Sequence, residues 1–354
     1  MWWHPHIFEA RKATLEARGR ILRSVRGFFD KNGFLEVETP ILQACPVMDV
    51  HIHGFKTEFL TADLRHERDF YLHTSPEFAM KKLLVAGMPK IYQLCHVFRN
   101  GESGRLHSPE FTMLEWYRAG SGYREAMEDC IGLVRAAAQE LKVKTLKSGE
   151  KLADPFLKWN IISVVEAFDR YAGIDLAKYC HVERSETSHE ILRCAQDDIG
   201  GFERAISSLG IRTAKDDRWD DLFFRVMAEK IEPHLGVGVP AILYDYPVSM
   251  ASLARRKPED PRFAERFEVY VCGVELANGF GELTDAAEQR KRFQEEMDLK
   301  EKIYGYRYPP DEDFFKALEY GMPESSGVAL GFDRLVMLAT GAADIEQVLW
   351  AGKP

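Results

Sequence analysis

The residue types best suited to chemistry in this sequence lie in a short polar loop and in the apolar segment that follows it. Arg99 opens the loop, and Glu115 and Tyr117 lie in the apolar segment beyond it. The planar guanidinium of an arginine donates two hydrogen bonds to a phosphate and stabilises charge that develops during attack. A structural ion pair is the alternative for an arginine near a strand end. The loop therefore indicates a nucleotide site, with the ion pair left open.

Three glutamates follow one another at intervals of seven residues, at Glu268, Glu275 and Glu282. The residues around them are rich in β-branched types, and the dipeptide Asn278–Gly279 is typical of a hairpin turn. We therefore expect Glu268 and Glu275 to lie on paired strands. Carboxylates beside a nucleotide hold Mg²⁺ through one or two oxygens while the phosphates supply the rest. A solvated strand face is the other interpretation of this pattern.

Two further segments carry candidate ligand-binding residues. Near the carboxyl end, a predicted strand that contains several glycines is followed directly by an apolar helix that contains Arg334. The small residues of this strand let a ligand approach the backbone. A buried Arg334 requires an anionic partner. This partner is either a carboxylate of the protein, such as Asp333, or a bound triphosphate. Earlier in the chain, residues 74–78 follow a predicted strand and begin a helix, where Ser75 is either a ligand contact or a helix N-cap.

The elements that must position these residues follow from hydrophobic periodicity. Apolar residues at helical spacing predict helices over residues 10–31, which end at Asn32–Gly33, and over residues 332–340. Alternating residues predict strands at 34–40, 70–73, 91–97, 112–118, 241–246, 268–274 and 282–284. Because strands outnumber βαβ signals, the predicted fold class is α+β, with an antiparallel β-sheet flanked by helices.

Composition narrows the class of protein. The 354 residues, 45% hydrophobic and 29% charged, are enough to bury a large core in one domain or in two smaller ones. The net charge of −9 disfavours broad nucleic-acid binding. The longest apolar runs are too short to cross a bilayer and no signal peptide is evident, so we expect no membrane association and a cytoplasmic location. Six scattered cysteines without a CxxC pair indicate neither a zinc site nor a disulfide framework.

Residues 179–200 differ in character from their surroundings. They are charged and poorly periodic, and they interrupt a region with helical apolar spacing. This pattern predicts a surface insertion, part of which resembles a repeat translated from a mobile element found in bacterial genes. Its histidines and cysteines show no repeated ligand spacing, so a metal site is disfavoured.

The sequence resembles class II aminoacyl-tRNA synthetases of the lysyl type. Residues 33–40 resemble motif 1, residues 98–117 motif 2, and residues 327–338 motif 3, and residues 275–283 add a fourth match. The resemblance covers nearly the whole chain except the insertion. It implies a single class II synthetase-like catalytic domain over residues 1–354, and a homodimer with Pro40 and the preceding helix at the interface.

Within that family the resemblance is greatest to truncated paralogues that attach (R)-β-lysine to a lysine of translation elongation factor P. Full lysyl-tRNA synthetases carry an amino-terminal anticodon-binding domain, whereas motif 1 here begins at Gly33. We therefore expect no anticodon-binding domain, and tRNA is disfavoured as a partner. Ala329 stands where the tRNA enzymes usually have glycine, and one added methyl group in an amino-acid pocket changes substrate choice.

The resemblance also implies a role for individual residues. Arg99 and Arg334 are the catalytic residues, directed at the α-phosphate and γ-phosphate of ATP. The other ATP-binding positions are Asn100, Glu102, His107, Ser108, Phe111, Glu275, Leu276 and Gly331. Glu268 and Glu275 are assigned to Mg²⁺. The amino-acid pocket consists of Ser75, Pro76, Glu77, Glu115, Tyr117, Asn278, Glu282 and Ala329.

Two positions in motif 2 depart from the pattern of the family. Gly101 stands where the family usually has a glutamate that binds the adenine amine, and the adjacent Glu102 is a substitute if the loop shifts. Ser108 replaces a usual asparagine and has a shorter reach. Both departures concern adenine recognition rather than phosphate chemistry.

The resemblance implies a two-step, AMP-forming ligase. Its cofactors are ATP and Mg²⁺, its substrate is (R)-β-lysine or lysine, and its acceptor is elongation factor P. Two alternatives stay open at this point. One is aminoacylation of tRNA, and the other is a catalytically silent paralogue that binds an amino acid and regulates a partner.

Overall fold

The structure is a computed structural model that describes residues 2–46, 48–180 and 189–352. Its α-helices are α1 (Pro5–Lys31), α2 (Glu77–Val85), α3 (Tyr123–Leu141), α4 (Val164–Ala172), α5 (His189–Ser208), α6 (Trp219–Val226), α7 (Ala286–Tyr304), α8 (Glu312–Gly321) and α9 (Phe332–Thr340). Its first strands are β1 (Leu35–Glu36), β2 (Leu42–Gln43), β3 (Lys56–Leu60), β4 (His66–Leu72), β5 (Lys90–Phe98) and β6 (Glu110–Ala119). The remaining strands are β7 (Leu146–Ser148), β8 (Lys151–Ala153), β9 (Asn160–Ser163), β10 (Ala241–Pro247), β11 (Phe263–Val271), β12 (Val274–Gly281) and β13 (Ser325–Gly331).

A large sheet holds eight of these strands in the order β1-β5-β6-β13-β12-β11-β10-β9. The predicted α+β class, with a sheet flanked by helices, is confirmed. The central pairs are antiparallel, but the outer pairs β1–β5 and β9–β10 are parallel, so the sheet is mixed rather than purely antiparallel. The chain reaches each parallel pairing through a long connection that contains a helix, as parallel strands require.

Helix α1 shows how the apolar pattern of the sequence becomes packing. Ile21, Val25 and Phe29 recur at intervals of four residues on one face, and all three are fully buried. The ring of Phe29 stacks on Tyr92 of β5 at 4.4 Å between centroids. The helix ends where predicted, because Gly33 adopts a φ of +73° that glycine accepts without strain. Helices α1, α3 and α9 thus cover one face of the sheet and leave its other face to the site.

Several predicted strand boundaries are wrong, and each has a local cause. The segment 34–40 pairs only over β1, because the following residues leave the sheet before the proline. The segment 268–274 is two strands, separated by a tight turn at Cys272–Gly273 in which both residues have positive φ. The segment 282–284 forms no regular strand, since β12 ends at Gly281 and Glu282 makes only an isolated bridge with Ala254.

The predicted hairpin turn at Asn278–Gly279 is also wrong. Both residues lie inside β12 and pair with β11 on one side and β13 on the other. Glycine is needed at position 279 for a different reason. A Cβ there would lie 2.5 Å from the Cε1 atom of Phe267 and 3.1 Å from the carbonyl oxygen of Gly327. Close packing against the neighbouring strands, not a turn, excludes a side chain at this position.

Two remaining expectations concern membranes and the insertion. Among the described residues, no helix is both long and apolar enough to cross a bilayer. Of the predicted insertion at 179–200, residues 181–188 lie outside the described residues, and the backbone from His189 onward belongs to α5. The surface insertion therefore stays a prediction.

The close packing at Gly279 gives a test of the fold. We expect Gly279→Ala to destabilise the protein by about 1–3 kcal/mol, because the added methyl group forces the sheet or Phe267 to move. Gly27→Ala in α1 is the matched control. A Cβ at Gly27 meets nothing within 4 Å, so this variant should gain about 0.4–1 kcal/mol. Chemical denaturation measures both, and equal effects at the two positions would contradict the packing described.

Candidate active site

One transverse row of the large sheet collects residues from five strands. Gln93, Glu115, Ala329, Asn278 and Glu268 are consecutive cross-strand partners on β5, β6, β13, β12 and β11. Directly paired residues project from the same face of a sheet. The register therefore brings predicted site residues from three distant parts of the sequence onto the face opposite α1, α3 and α9.

A cavity of about 290 Å³ lies over this face. Most of the predicted site residues line it, namely Ser75, Glu77, Arg99, Glu102, His107, Ser108, Phe111, Glu275, Leu276, Asn278, Ala329, Gly331 and Arg334. Six predicted residues do not line it, namely Pro76, Asn100, Glu115, Tyr117, Glu268 and Glu282. Arg99 and Arg334 lie at one end of the cavity, with Glu102 and Glu275 near them, and Glu77 lies at the other end, above the buried carboxylates of Glu115 and Glu282.

Arg99 lies at the arginine end, at the point where β5 leaves the sheet. Its guanidinium lies 5.3 Å from the ring centroid of Phe111, and its Nη1 is 3.7 Å from a carboxylate oxygen of Glu102. This distance is too long for a strong ion pair. The Nε atom donates to the backbone oxygen of Thr74 at 3.4 Å, so Arg99 lines the cavity without a close ion pair, which favours ligand binding over the structural ion pair.

Arg334 lies on the first turn of α9 and faces the same end of the cavity. Its Nη1 donates to the backbone oxygen of Glu275 at 2.8 Å, and its Nη2 lies 2.8 Å from Nε2 of His107. Asp333 is not its partner, because that carboxylate pairs with Arg18 instead. These hydrogen-bond partners are neutral, and the nearby carboxylate of Glu275 attracts the positive charge of Arg334 at the cavity wall.

The motif 2 loop shows why this chain has glycine at position 101. Gly101 has a φ of +83°, a conformation that disfavours any other residue type. The turn made there places Glu102 in the cavity wall. Asn100 instead lines a separate surface groove beside His53, so its predicted contact with the nucleotide is not supported by this geometry.

Two polar atoms of the cavity have no hydrogen-bond partner among the described residues. They are the hydroxyl oxygen of Ser108 and the side-chain oxygen of Asn278, and both are buried. Burying a polar atom without a partner costs free energy unless a ligand or water completes the hydrogen bond. Ser108 belongs to the arginine end and Asn278 to the acidic end, so both ends offer a ligand a polar contact.

Glu115 lies beneath the acidic end of the cavity. It is 2% exposed, and it accepts hydrogen bonds from the hydroxyls of Ser75 at 3.0 Å and Tyr117 at 2.6 Å. Burial and the nearby charge of Glu77 raise the pKa of Glu115 to about 8. Ser75 also accepts a hydrogen bond from the backbone of Glu77 at 3.1 Å, so it both begins α2 and orients a site carboxylate.

Glu282 lies deeper, behind Tyr117 and Gly327. It is 1% exposed, and its nearest cation is the ammonium of Lys81 at 2.6 Å. The same ammonium donates to Glu77 at 2.6 Å. Burial raises the pKa of Glu282 to about 7, although the charge of Lys81 opposes the rise. Glu77, Glu115 and Glu282 therefore form one acidic group, in which Glu77, 18% exposed, and Glu282 contact Lys81 directly.

The two carboxylates assigned to magnesium have different surroundings. Glu268 accepts hydrogen bonds from Arg266 at 2.6 Å, Tyr246 at 2.6 Å and Tyr270 at 2.7 Å, so both of its oxygens are engaged. Glu275 faces the cavity, and desolvation together with the charge of Glu268 raises its pKa. Among the described residues no cluster of three metal-binding side chains exists. This donor set fits a cation that takes one carboxylate and receives its other ligands from phosphates.

Two important residues of the site were missed by sequence reasoning. Lys81 follows Glu77 by four residues on a helix, a spacing typical of an ion pair, but nothing in that spacing shows that it points inward. Asp333 lines the cavity and forms an ion pair with Arg18. Its carboxylate also accepts a hydrogen bond from the backbone amide of Thr112 at 2.7 Å. The partners of Asp333 lie more than 200 residues away in sequence, so no local pattern indicates them.

Comparison with known proteins gives a consistent result. The family model "tRNA synthetases class II (D, K and N)" matches residues 7–352. Proteins named elongation factor P–(R)-beta-lysine ligase are similar over the same length. Those of Edwardsiella ictaluri, Pectobacterium carotovorum and Vibrio atlanticus are 41%, 40% and 38% identical, each covering 98% of this chain and 96% of the relative.

The hydrogen bond from Tyr117 to Glu115 can be tested without any ligand. Tyr117→Phe removes a donor that favours the ionised carboxylate, so we expect the pKa of Glu115 to rise further above about 8. Carbon-13 NMR of labelled glutamate side chains measures this titration. Tyr123→Phe is the control, because the Tyr123 hydroxyl donates to Asp245 instead. A Glu115 titration that is unchanged in Tyr117→Phe would contradict the geometry.

Proposed function

We propose that this chain, which belongs to the class II tRNA synthetase family (D, K and N), activates (R)-β-lysine with ATP and transfers it to a lysine side chain of elongation factor P. The observation that carries the proposal is the single cavity that joins two arginines to a buried acidic pocket. A diammonium amino acid fits the acidic end, because each desolvated cation requires a nearby carboxylate. A triphosphate fits the other end, where Arg99 and Arg334 lie.

In the first step the amino-acid carboxylate attacks the α-phosphorus of ATP, and the bond to pyrophosphate breaks. Arg99 stabilises the charge that develops on the α-phosphate, and Arg334 holds the γ-phosphate. Phe111 and Glu102 are the contacts proposed for adenine, with Glu102 binding the amine in place of a glutamate at position 101. Ser108, His107, Leu276 and Gly331 complete this end of the site.

Magnesium, when bound with ATP, neutralises phosphate charge during the attack. Glu275 is the residue that would hold it, because its carboxylate faces the cavity. Glu268 accepts hydrogen bonds from Arg266 and two tyrosines and does not line the cavity. Its negative charge disfavours the ionised form of the Glu275 carboxyl. Its proposed contribution is therefore electrostatic.

In the second step a neutral lysine amine of the acceptor protein attacks the carbonyl carbon of the adenylate. The bond to AMP breaks, an amide forms, and the amine loses a proton. Tyr117, Asn278 and the carboxylates of Glu77 and Glu115 hold the two ammonium groups of the donor amino acid during this step. Positioning of the reactants supplies much of the acceleration.

The proposal is tested by incubating the protein with ATP, (R)-β-lysine and unmodified elongation factor P. Mass spectrometry should show the addition of one β-lysyl group, and pyrophosphate exchange should require a lysine isomer. Purified tRNA serves as the competing acceptor. Charging of tRNA while elongation factor P stays unmodified would replace the proposed acceptor, and no exchange with any lysine isomer would remove the first step.

Arg99 provides a variant that is sensitive to the chemistry. We expect Arg99→Ala to lower kcat for pyrophosphate exchange by about 10²–10³-fold, because a donor to the developing charge is lost. Arg20→Ala is the matched control, since Arg20 pairs with Glu140 on the opposite face of the sheet. If Arg99→Ala retained full exchange activity, its proposed contact with the α-phosphate would be wrong.

We further propose a homodimer formed through the segment of β1 and β2. Apolar side chains are exposed there, with Leu35 at 52%, Ile41 at 41% and Leu42 at 47%. Leu42→Asp should convert a dimer into a monomer, as measured by light scattering, because a charge in an apolar interface loses its hydration. Tyr320→Asp, at an 86% exposed position on α8, is the control. A wild-type monomer would contradict the proposal.

A further inference from the structure

Lys81 is a buried ammonium that no step above uses. It lies on α2, is 1% exposed, and its Nζ is 2.6 Å from Oε1 of Glu77 and 2.6 Å from Oε2 of Glu282. Glu77 belongs to the same helix, whereas Glu282 follows β12, so the ammonium joins two elements beneath the cavity. Burial alone lowers the pKa of Lys81, but the two carboxylates reverse this and raise it above its ordinary value.

The charged and titratable groups around this ammonium come from every element packed against it. They are Glu77 on α2, Glu282 after β12, Glu115 and Tyr117 on β6, and Arg255 in the loop before β11; Cys95 on β5 lies next to Glu115. Arg255 acts on Glu282 only from a distance, because its Nε bonds Glu265 at 2.6 Å. Lys81 is therefore the cation in direct contact with this acidic group among the described residues.

We propose that Lys81 is a positioning residue that holds Glu77 in place and keeps Glu282 ionised in the empty pocket, so that the pocket receives a diammonium amino acid without first losing a proton from Glu282. This inference rests on the proposed function, whose substrate it concerns. A buried carboxylate without a partner takes up a proton rather than remain charged. The 2.6 Å contact of Lys81 removes that need at Glu282, and its second contact, also 2.6 Å, fixes Glu77.

The number of charges supports this role. Lys81 neutralises one of the two negative charges of Glu77 and Glu282, and Glu115 supplies a second negative charge when an incoming ammonium group displaces its proton, so two charges match the two ammonium groups of β-lysine. Without Lys81 the pocket would carry an excess negative charge, and protons would neutralise it. An incoming ammonium group would then have to displace those protons, so the affinity for the amino acid would decrease as the pH decreases.

The test compares the KM for the lysine isomer in pyrophosphate exchange between wild type and Lys81→Met across about pH 6 to about pH 9. We expect the ratio of the two KM values to increase about tenfold for each pH unit as the pH falls from the raised pKa of Glu282 in the variant to about 7, the wild-type value, and to level off below it. At the alkaline end the ratio should approach a constant. The KM for ATP should not change, because the arginine end of the cavity is untouched.

Two variants serve as controls. Lys82→Met removes the same charge one residue later, where the ammonium bonds Asp311 at 3.2 Å and Asp313 at 3.1 Å outside the cavity, so its KM ratio should stay near one at every pH. Lys81→Arg keeps the charge and should therefore keep the wild-type pH dependence even if its KM differs. Lys81→Gln repeats the test should Lys81→Met not fold.

Carbon-13 NMR titration of Glu282 provides a readout that requires no catalysis. Burial already raises the pKa of Glu282 to about 7. This pKa should rise further in Lys81→Met and should be unchanged in Lys82→Met. A KM ratio that is the same at every pH, or an unchanged Glu282 titration, would overturn the role of Lys81. Absence of exchange in the wild type would instead refute the proposed function, and the NMR result would still decide the role of Lys81.

Discussion

The register of the large sheet is the constraint on which the site depends. Because side chains alternate between faces along a strand, a slip of one residue on β12 or β13 would move Asn278 or Ala329 into the apolar core. The core beneath prevents such a slip. Trp116 on β6, Val328 on β13 and the neighbouring apolar side chains are packed against α1, α3 and α9 on the opposite face. The same alternation that buries these residues exposes the polar row to the cavity.

Buried charge is the second constraint, and it divides the cavity into two ends. At one end the positive charges of Arg99 and Arg334 line the cavity, with the carboxylates of Glu102 and Glu275 nearby. At the other end Glu77 and Glu282 share the ammonium of Lys81, and Glu115 lies buried beside them. Desolvated charges of either sign are costly without a counter-ion. A pair of ligands that is anionic at one end and cationic at the other would relieve both costs at once.

Much of the fold and site follows from local sequence patterns. The apolar spacing of α1, the alternation in β6 and the glycine at the end of α1 each have a local physical cause, and the structure reproduces them. Asn278–Gly279 misled the prediction because the same dipeptide that favours a turn also fits a crowded central strand. Lys81 and Arg18 could not be assigned from sequence, since their roles depend on carboxylates brought close by tertiary folding, Glu282 and Asp333.

The pair of Arg18 and Asp333 shows how an element remote from the cavity determines its chemistry. Asp333 immediately precedes Arg334 and accepts a hydrogen bond from the backbone amide of Thr112. This hydrogen bond fixes the start of α9 against β6. Arg18 of α1 bonds both Asp333 and, at 2.8 Å, the hydroxyl of Thr112. Because these groups are buried, loss of either partner leaves an uncompensated charge, and the arrangement resists displacement. The direction of Arg334 is thus set by a contact on the far side of the sheet, which couples the packing of the amino-terminal helix to the arginine end of the cavity.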